Sequence, residues 1–327
     1  MKIAFTICSN NYWAQAKVLF KSLHETNPDY KLVLGLVDKK HKEVDYTIDG
    51  EELVDIVEVS QLNIPDKFNI FQKYNIIELN TAVKPSYIKW IKEKYVEAEV
   101  VLYFDPDIKI FSSLFDIESS LRDKSIVLTP HIYNPIPNDN LNPTESVFLN
   151  YGVFNLGFIG ISFKNRKVFD FLDWWENHLM IQCFINPSYG IFVDQLPINH
   201  APIFFPDITQ ILFNYGMNAA PWNLHERQIT LQDGKYYANK DLLIFFHFSN
   251  IHFSKGKHPI YNRYEIYPVL ENLYEKYRSE LIKNSFLELK SMRCFYKVQP
   301  VKMNLFSRIM KNLTPPGIVK IVKKIKK

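Results

Sequence analysis

Short apolar runs alternate with stretches of helical periodicity through the first half of the chain, and this alternation restricts the fold more than any other feature. Ile3 to Ile7 precedes a helical pattern over Tyr12 to Leu23, Leu32 to Val37 and Val54 to Val59 follow, and a helical pattern over Tyr87 to Tyr95 leads into Val100 to Phe104. Parallel neighbours in a sheet need a crossover of about a dozen residues or more, usually a helix, so the alternation predicts an α/β fold with a mostly parallel sheet flanked by helices. At 327 residues and 47% hydrophobic composition the chain can bury one large core or two modest ones. The second half is less regular. It predicts a strand over Val153 to Phe163, a helix over Arg166 to Ile181, a strand over Leu242 to Phe248 and a closing helix over Tyr264 to Ile282. The expected organisation is one catalytic-sized domain over residues 1–290, with halves at about 1–125 and 126–290, followed by a tail over 291–327.

In open α/β sheets ligands lie beyond the carboxyl ends of the strands, which makes Ser9-Asn10-Asn11, Asp38 and Asp105-Pro106-Asp107 the first suspects. The stretch VLYFDPDIKIF, residues 101–111, carries the most chemistry. Its apolar strand ends in two carboxylates one residue apart, with Pro106 stiffening the turn. Carboxylates at i and i+2 can share one hard cation such as Mg²⁺ or Mn²⁺ beside substrate phosphates, although Asp-x-Asp also arises in ordinary Asx turns.

In FFHFSN, residues 245–250, His247 sits inside an apolar run and precedes Lys255, Lys257 and His258. It is either a hydrogen-bonded core histidine or a third ligand supplied late in the chain. Gly152, Gly157 and Gly160 interrupt a strand pattern around Asn155, which signals close backbone approach by a ligand or by packing. Asp194 and Gln195 follow the turn Asn186–Gly190, where Asp194 could equally cap a helix. Asn223, His225, Glu226 and Arg227 lie in an aromatic setting that suits sugar recognition or a structural loop.

The net charge of +4 belongs to the C-terminus. Residues 296–327 hold eight Lys and one Arg with no acid, and subtracting those nine charges leaves −5 for the remainder. Leu305, Ile309 and Leu313, then Ile318, Val322 and Ile325 beyond Pro315-Pro316-Gly317, recur at helical spacing among lysines. Such a segment suits an anionic membrane surface or a solvated tail. Nucleic acid is not expected as a partner, since no aromatic platform accompanies the cations. Cys8, Cys183 and Cys294 show neither a disulfide framework nor zinc spacing, and no apolar run reaches a membrane-spanning length. A cytoplasmic protein, either soluble or peripheral on the inner face of the membrane, is the expectation.

TICSNNYWAQAKVLFKSL, TAVKPSYIKWI, YFDPDI, VFNLGFIGI, FVDQ and FHFSN follow one another in an order that resembles the GT-A glycosyltransferases of the retaining family 8 kind, over about residues 1–255. The resemblance implies a GT-A fold and transfer of a sugar from a nucleotide-diphosphate sugar, UDP-sugar favoured, to a glycan or lipid-linked acceptor. By this likeness Asp105, Asp107 and His247 are Mn²⁺ (or Mg²⁺) ligands, and Thr6, Ser9, Asn11 and Tyr12 form the uridine-side loop. Lys84 takes the place of a basic residue near the donor phosphates or sugar, and Lys257 that of a diphosphate contact. Asn155, Asp194 and Gln195 match positions facing the donor sugar and are the expected catalytic residues, Gln195 or Asp194 stabilising positive charge in a retaining transfer and Asp194 serving as general base in an inverting one. Cys8-Ser9-Asn10 stands where the family usually carries an acidic residue for the base, and Phe154-Asn155-Leu156-Gly157 replaces the usual Phe-Asn-Ser/Ala-Gly. Two other readings start from the same residues. A phosphohydrolase of the haloacid-dehalogenase type also uses Asp-x-Asp after a strand, but normally near the N-terminus and with Thr or Val where this chain has Lys109. A non-catalytic carbohydrate-binding protein would suit the aromatic content of 15%.

Overall fold

The computed structural model describes residues 1–253, 263 and 265–296. Its centre is a seven-stranded sheet. Six of the strands are β1 (Lys2–Cys8), β2 (Tyr30–Leu36), β3 (Val54–Glu58), β4 (Val100–Phe104), β6 (Ile126–Leu128) and β7 (Phe158–Ser162), and Thr209–Ile211 forms the edge beyond β6. The spatial order runs from that edge through β6, β7, β4, β1 and β2 to β3. Neighbours are parallel except at β7, which runs antiparallel to both β4 and β6. The expected α/β class with a mostly parallel sheet holds.

Side chains alternate across a strand, and here both faces are covered, so the strands read as continuous apolar runs. Ile3, Phe5 and Ile7 enter one core with Tyr87, Ile88 and Ile91 of the helix Lys84–Lys94 and with Phe171 and Trp175 of the helix Lys167–Gln182. Ala4 and Cys8 enter the other, with Leu19, Phe20 and Leu23 of α1 (Trp13–Thr26). Full burial of such a side chain contributes about 1.5–3 kcal/mol, which fixes the register of β1 against a slip that would exchange its faces.

Two expected strands are shorter than their apolar patterns. The run from Val153 begins as a turn and becomes strand only at Phe158, because Asn155 turns back onto its own loop and its side-chain oxygen accepts from the Gly157 N–H at 3.2 Å. The run Leu242 to Phe248 is divided. Leu242 belongs to a small three-stranded sheet, and the N–H groups of Ile244 and Phe245 turn to the Gly216 carbonyl. Phe245–His247 then pairs antiparallel with β5 (Ile108–Ile110), which lies outside the main sheet. No helix among the described residues is long and apolar enough to cross a membrane.

Candidate active site

All five residues of β4 are buried, and the chain leaves the sheet at Asp105. Backbone bonds define the turn that follows. The Asp105 N–H donates to Gly157 O at 2.7 Å, the Ile108 N–H donates back to Asp105 O at 3.0 Å, and the Phe248 N–H donates to Asp107 O at 2.9 Å. Pro106, between them, brings no N–H that would need a partner. Both carboxylates are therefore placed by main-chain bonds and keep their side chains available, at 31% exposure for Asp105 and 20% for Asp107.

The short β5 pairing brings the third residue in. His247 lies directly opposite Ile108, and its Nε2 reaches Asp107 Oδ1 at 3.0 Å and Asp105 Oδ2 at 3.9 Å. One ligand atom from each of Asp105, Asp107 and His247 lies within 4.8 Å of the others. Two carboxylate oxygens and one imidazole nitrogen form a donor set that suits Mn²⁺ or Mg²⁺, and the open carboxylates leave room for phosphate oxygens. Burial opposes a charge on His247, but Asp107 and then Asp105 outweigh it and raise its pKa above the ordinary value.

Gly157 makes this arrangement possible, since a Cβ there would sit 2.6 Å from the His247 ring and 2.8 Å from Asn155 Oδ1. At Gly160 the close neighbour is Val127, at 2.5 Å, so that glycine serves packing. Trp222 closes the far side of the imidazole edge to face, with ring centroids 5.1 Å apart.

Beside the cluster lies a buried ion pair. Lys84, in the first turn of its helix, meets Asp194 Oδ2 at 2.5 Å, donates to Leu156 O at 2.8 Å and sits 4.2 Å from the centre of the Tyr103 ring. Burial raises the Asp194 pKa, and Lys84 works against that rise. The nearest short helix begins only at Pro197, so Asp194 caps none. Tyr103, two residues before Asp105 and therefore on its face of the strand, donates its hydroxyl to the Asp105 carboxylate. Gln195 is held at both ends of its amide. It accepts from the Leu156 N–H at 3.0 Å and donates to Tyr151 O at 2.7 Å.

The Asn155 amide nitrogen faces Gln195 Oε1 at 3.4 Å and His131 Nε2 at 3.2 Å. His131 is enclosed, and burial pushes its imidazole down to about 3. It is thus neutral in the fold, whereas the unfolded chain takes up a proton below its ordinary value near 6.5. The stability this supplies is complete above about pH 6.5 and is lost as pH falls from there toward about 3. Melting temperatures measured from about pH 7 to about pH 4 should fall less steeply for His131→Gln, which keeps an acceptor for Asn155, than for the wild-type chain. Equal slopes would remove His131 from the acid response.

On the other flank, Thr6 is fully buried at mid-strand in β1, and its hydroxyl has no hydrogen-bond partner among the described residues. Ser9 donates to Val37 O at 3.0 Å, Asn11 accepts from Cys294 Sγ at 3.3 Å, and Tyr12 is 45% exposed. Burial, and then Asp107 and Asp105, raise the Tyr12 pKa. Lys255, Lys257 and His258 lie outside the described residues, as does the basic tail beyond Tyr296.

Asn223, Glu226 and Arg227 take the structural role left open for them. Asn223 bonds to His131 O and Asn218 O at 2.9 Å each, Glu226 accepts from the Tyr133 and Asn134 N–H groups, and Arg227 donates to Tyr215 O and Met217 O. Tyr103, His131 and Trp222 carry no sequence signal singled out above. Only for Tyr103 was one present, in its i−2 spacing from Asp105.

No protein family model matches the chain. A curated relative, the uncharacterized protein YfnD of Bacillus subtilis (strain 168), is 25% identical over 249 residues, covering 75% of this chain and 76% of YfnD. Several solved structures similar to the chain are glycosyltransferases. The galactosyltransferase LgtC, in complex with donor and acceptor sugar analogs, is 15% identical with a TM-score of 0.45, covering 85% of this chain and 95% of its own. The glycosyltransferase GlyE of Streptococcus pneumoniae TIGR4 is 14% identical with a TM-score of 0.45, covering 90% and 66%. A glycosyltransferase involved in the glycosylation of the major capsid of PBCV-1 is 9% identical with a TM-score of 0.43, covering 86% and 99%.

Proposed function

We propose that the chain is a divalent-metal-dependent glycosyltransferase of the GT-A type, with residues 1–290 as its catalytic domain. It transfers a sugar from a nucleotide-diphosphate sugar, UDP-sugar favoured, to a glycan or lipid-linked acceptor with retention at the anomeric carbon. The observation that carries this reading is the convergence of Asp105, Asp107 and His247 at the carboxyl end of a buried central strand. A cation held there would supply Lewis-acid stabilisation to the leaving diphosphate.

The chain's own residues account for the rest. The Asp105 and Asp107 side chains are 31% and 20% exposed at the strand end, where a diphosphate could reach them, and Tyr103 orients Asp105 through its hydroxyl. Asn155, which accepts from the Gly157 N–H beside the His247 ring, and Gln195, which accepts from the Leu156 N–H, are assigned to the donor sugar. Asp194 is engaged by Lys84 and 2% exposed, which keeps it out of reach of an incoming hydroxyl. That supports retention, in which the departing phosphate oxygen takes the acceptor proton on the same face, over inversion with Asp194 as general base.

The test is a hydrolysis screen of UDP, GDP and CMP sugars with and without Mn²⁺. Slow, Mn²⁺-dependent release of UDP in the absence of acceptor is the expected result, suppressed by a chelator, with the anomeric configuration of the freed sugar retained. No release from any donor would favour a carbohydrate-binding protein and overturn this reading.

A further inference from the structure

We infer that Asp38 is a positioning residue for the nucleoside end of the donor site, and that the C-terminal segment Cys294–Tyr296 closes that end. The inference rests on the function proposed above and concerns a part of the site that the sequence left without an acidic residue.

β1 and β2 are adjacent parallel strands that finish at the same edge of the sheet, where an open α/β sheet receives its ligand. Asp38 lies just past the end of β2 and is 2% exposed. Its carboxylate takes backbone N–H groups from three separate stretches of chain. Oδ2 accepts from Asn10 at 3.2 Å, while Oδ1 accepts from Lys39 at 3.0 Å and from Phe295 at 2.8 Å. A buried carboxylate is costly unless it is bonded in this way, and charge-assisted bonds of this type are stronger than neutral ones. Asp38 therefore holds the turn after β1 and does not read a base itself, because it is 2% exposed and directed at backbone donors.

The same clamp holds Cys294–Tyr296 against the turn after β1. Cys294 donates to the Asn11 side chain, the Lys39 ammonium lies 3.9 Å from the centre of the Phe295 ring, and the Tyr296 ring packs on Phe71 at 4.5 Å. The helix Phe286–Lys290 rests on the Asn10–Tyr12 turn from the same side. β4 also runs parallel beside β1, so the Asn10–Tyr12 turn and the Asp105–Asp107 turn leave the same edge of the sheet. One continuous stretch thus runs from the Asp38 clamp to the carboxylates of the metal cluster. A nucleoside whose diphosphate sits at those carboxylates would extend along that turn toward the segment Cys294–Tyr296.

The test uses the full-length chain, UDP with Mn²⁺ in calorimetry, and steady-state hydrolysis of the UDP-sugar. Asp38→Asn should weaken UDP binding and raise KM about tenfold with kcat within about twofold of wild type, since the interaction acts on donor binding and not on bond cleavage. Phe295→Pro removes the N–H that Asp38 accepts and the ring under Lys39, and leaves Asp38 in place. It should raise KM several-fold and speed chymotryptic cleavage after Tyr296. Wild-type KM in both variants, or a fall in kcat with KM unchanged, would overturn the inference. A KM rise in Asp38→Asn alone would overturn the part assigned to the C-terminal segment. A wild-type chain that binds no nucleoside diphosphate would instead overturn the proposed function, and this inference with it.

Discussion

Replacing Asp107 with alanine is expected to lower Mn²⁺-dependent turnover of the donor by about three orders of magnitude, the scale on which electrostatic stabilisation of a leaving group acts. The unfolding temperature should fall by only a few degrees, because losing the bond to the buried His247 costs about 1–3 kcal/mol and leaves the core packed. The two effects separate because the structure divides the residue between two tasks. The Asp107 carbonyl accepts from the Phe248 N–H at 2.9 Å and ties β5 to the strand Phe245–His247, and alanine keeps that bond. Its carboxylate, 3.0 Å from His247 Nε2, belongs to the ligand cluster, and alanine removes it. Asp107→Asn, which keeps the shape and discards the charge, should fall between the two. Hydrolysis assays at saturating Mn²⁺, beside thermal melts, decide the matter. Full turnover in Asp107→Ala with an unchanged melting curve would sink the metal assignment.

Much of this site was legible before the fold was known because its key residues lie at the ends of regular elements. Asp105 and Asp107 stand where a continuous apolar run stops, and a run buried on both faces has few other ways to be read. The sheet was legible for the same reason. What stayed hidden depends on contacts between segments remote in sequence. His247 could be named a candidate from its place in an apolar run, but its pairing opposite Ile108 follows from a short two-stranded ladder outside the main sheet. Gly157 read as a close approach without showing that the approaching group is the His247 ring. Trp222 and His131 touch the site only because the loop from Asn218 to Arg227 folds back through Asn223, whose amide binds main-chain oxygens of both His131 and Asn218. Nor does periodicity foretell that Asp194 meets a lysine 110 residues earlier in the chain, since no local rule relates the two positions.

That pairing sets up the second large effect. Lys84 and Asp194 are 1% and 2% exposed and 2.5 Å apart, so neither charge has water to fall back on. Asp194→Ala leaves the ammonium buried with only Leu156 O and the face of Tyr103 for company, and should cost about 3–5 kcal/mol, lowering the melting temperature by roughly 10 °C. The double variant Lys84→Met/Asp194→Leu removes both charges and keeps apolar volume, and it should recover most of that loss, because a buried ion pair is rarely more stabilising than a well-packed apolar replacement. Turnover is expected to behave differently. Lys84 holds the Leu156 carbonyl, between Asn155 and Gly157, and so fixes the loop that borders the metal cluster. The double variant should therefore melt near the wild-type temperature while remaining well below wild-type activity. If stability and turnover returned together, the pair would be scaffold alone. If neither returned, the stability would rest on the bonds to Leu156 and Tyr103 and not on the meeting of the two charges.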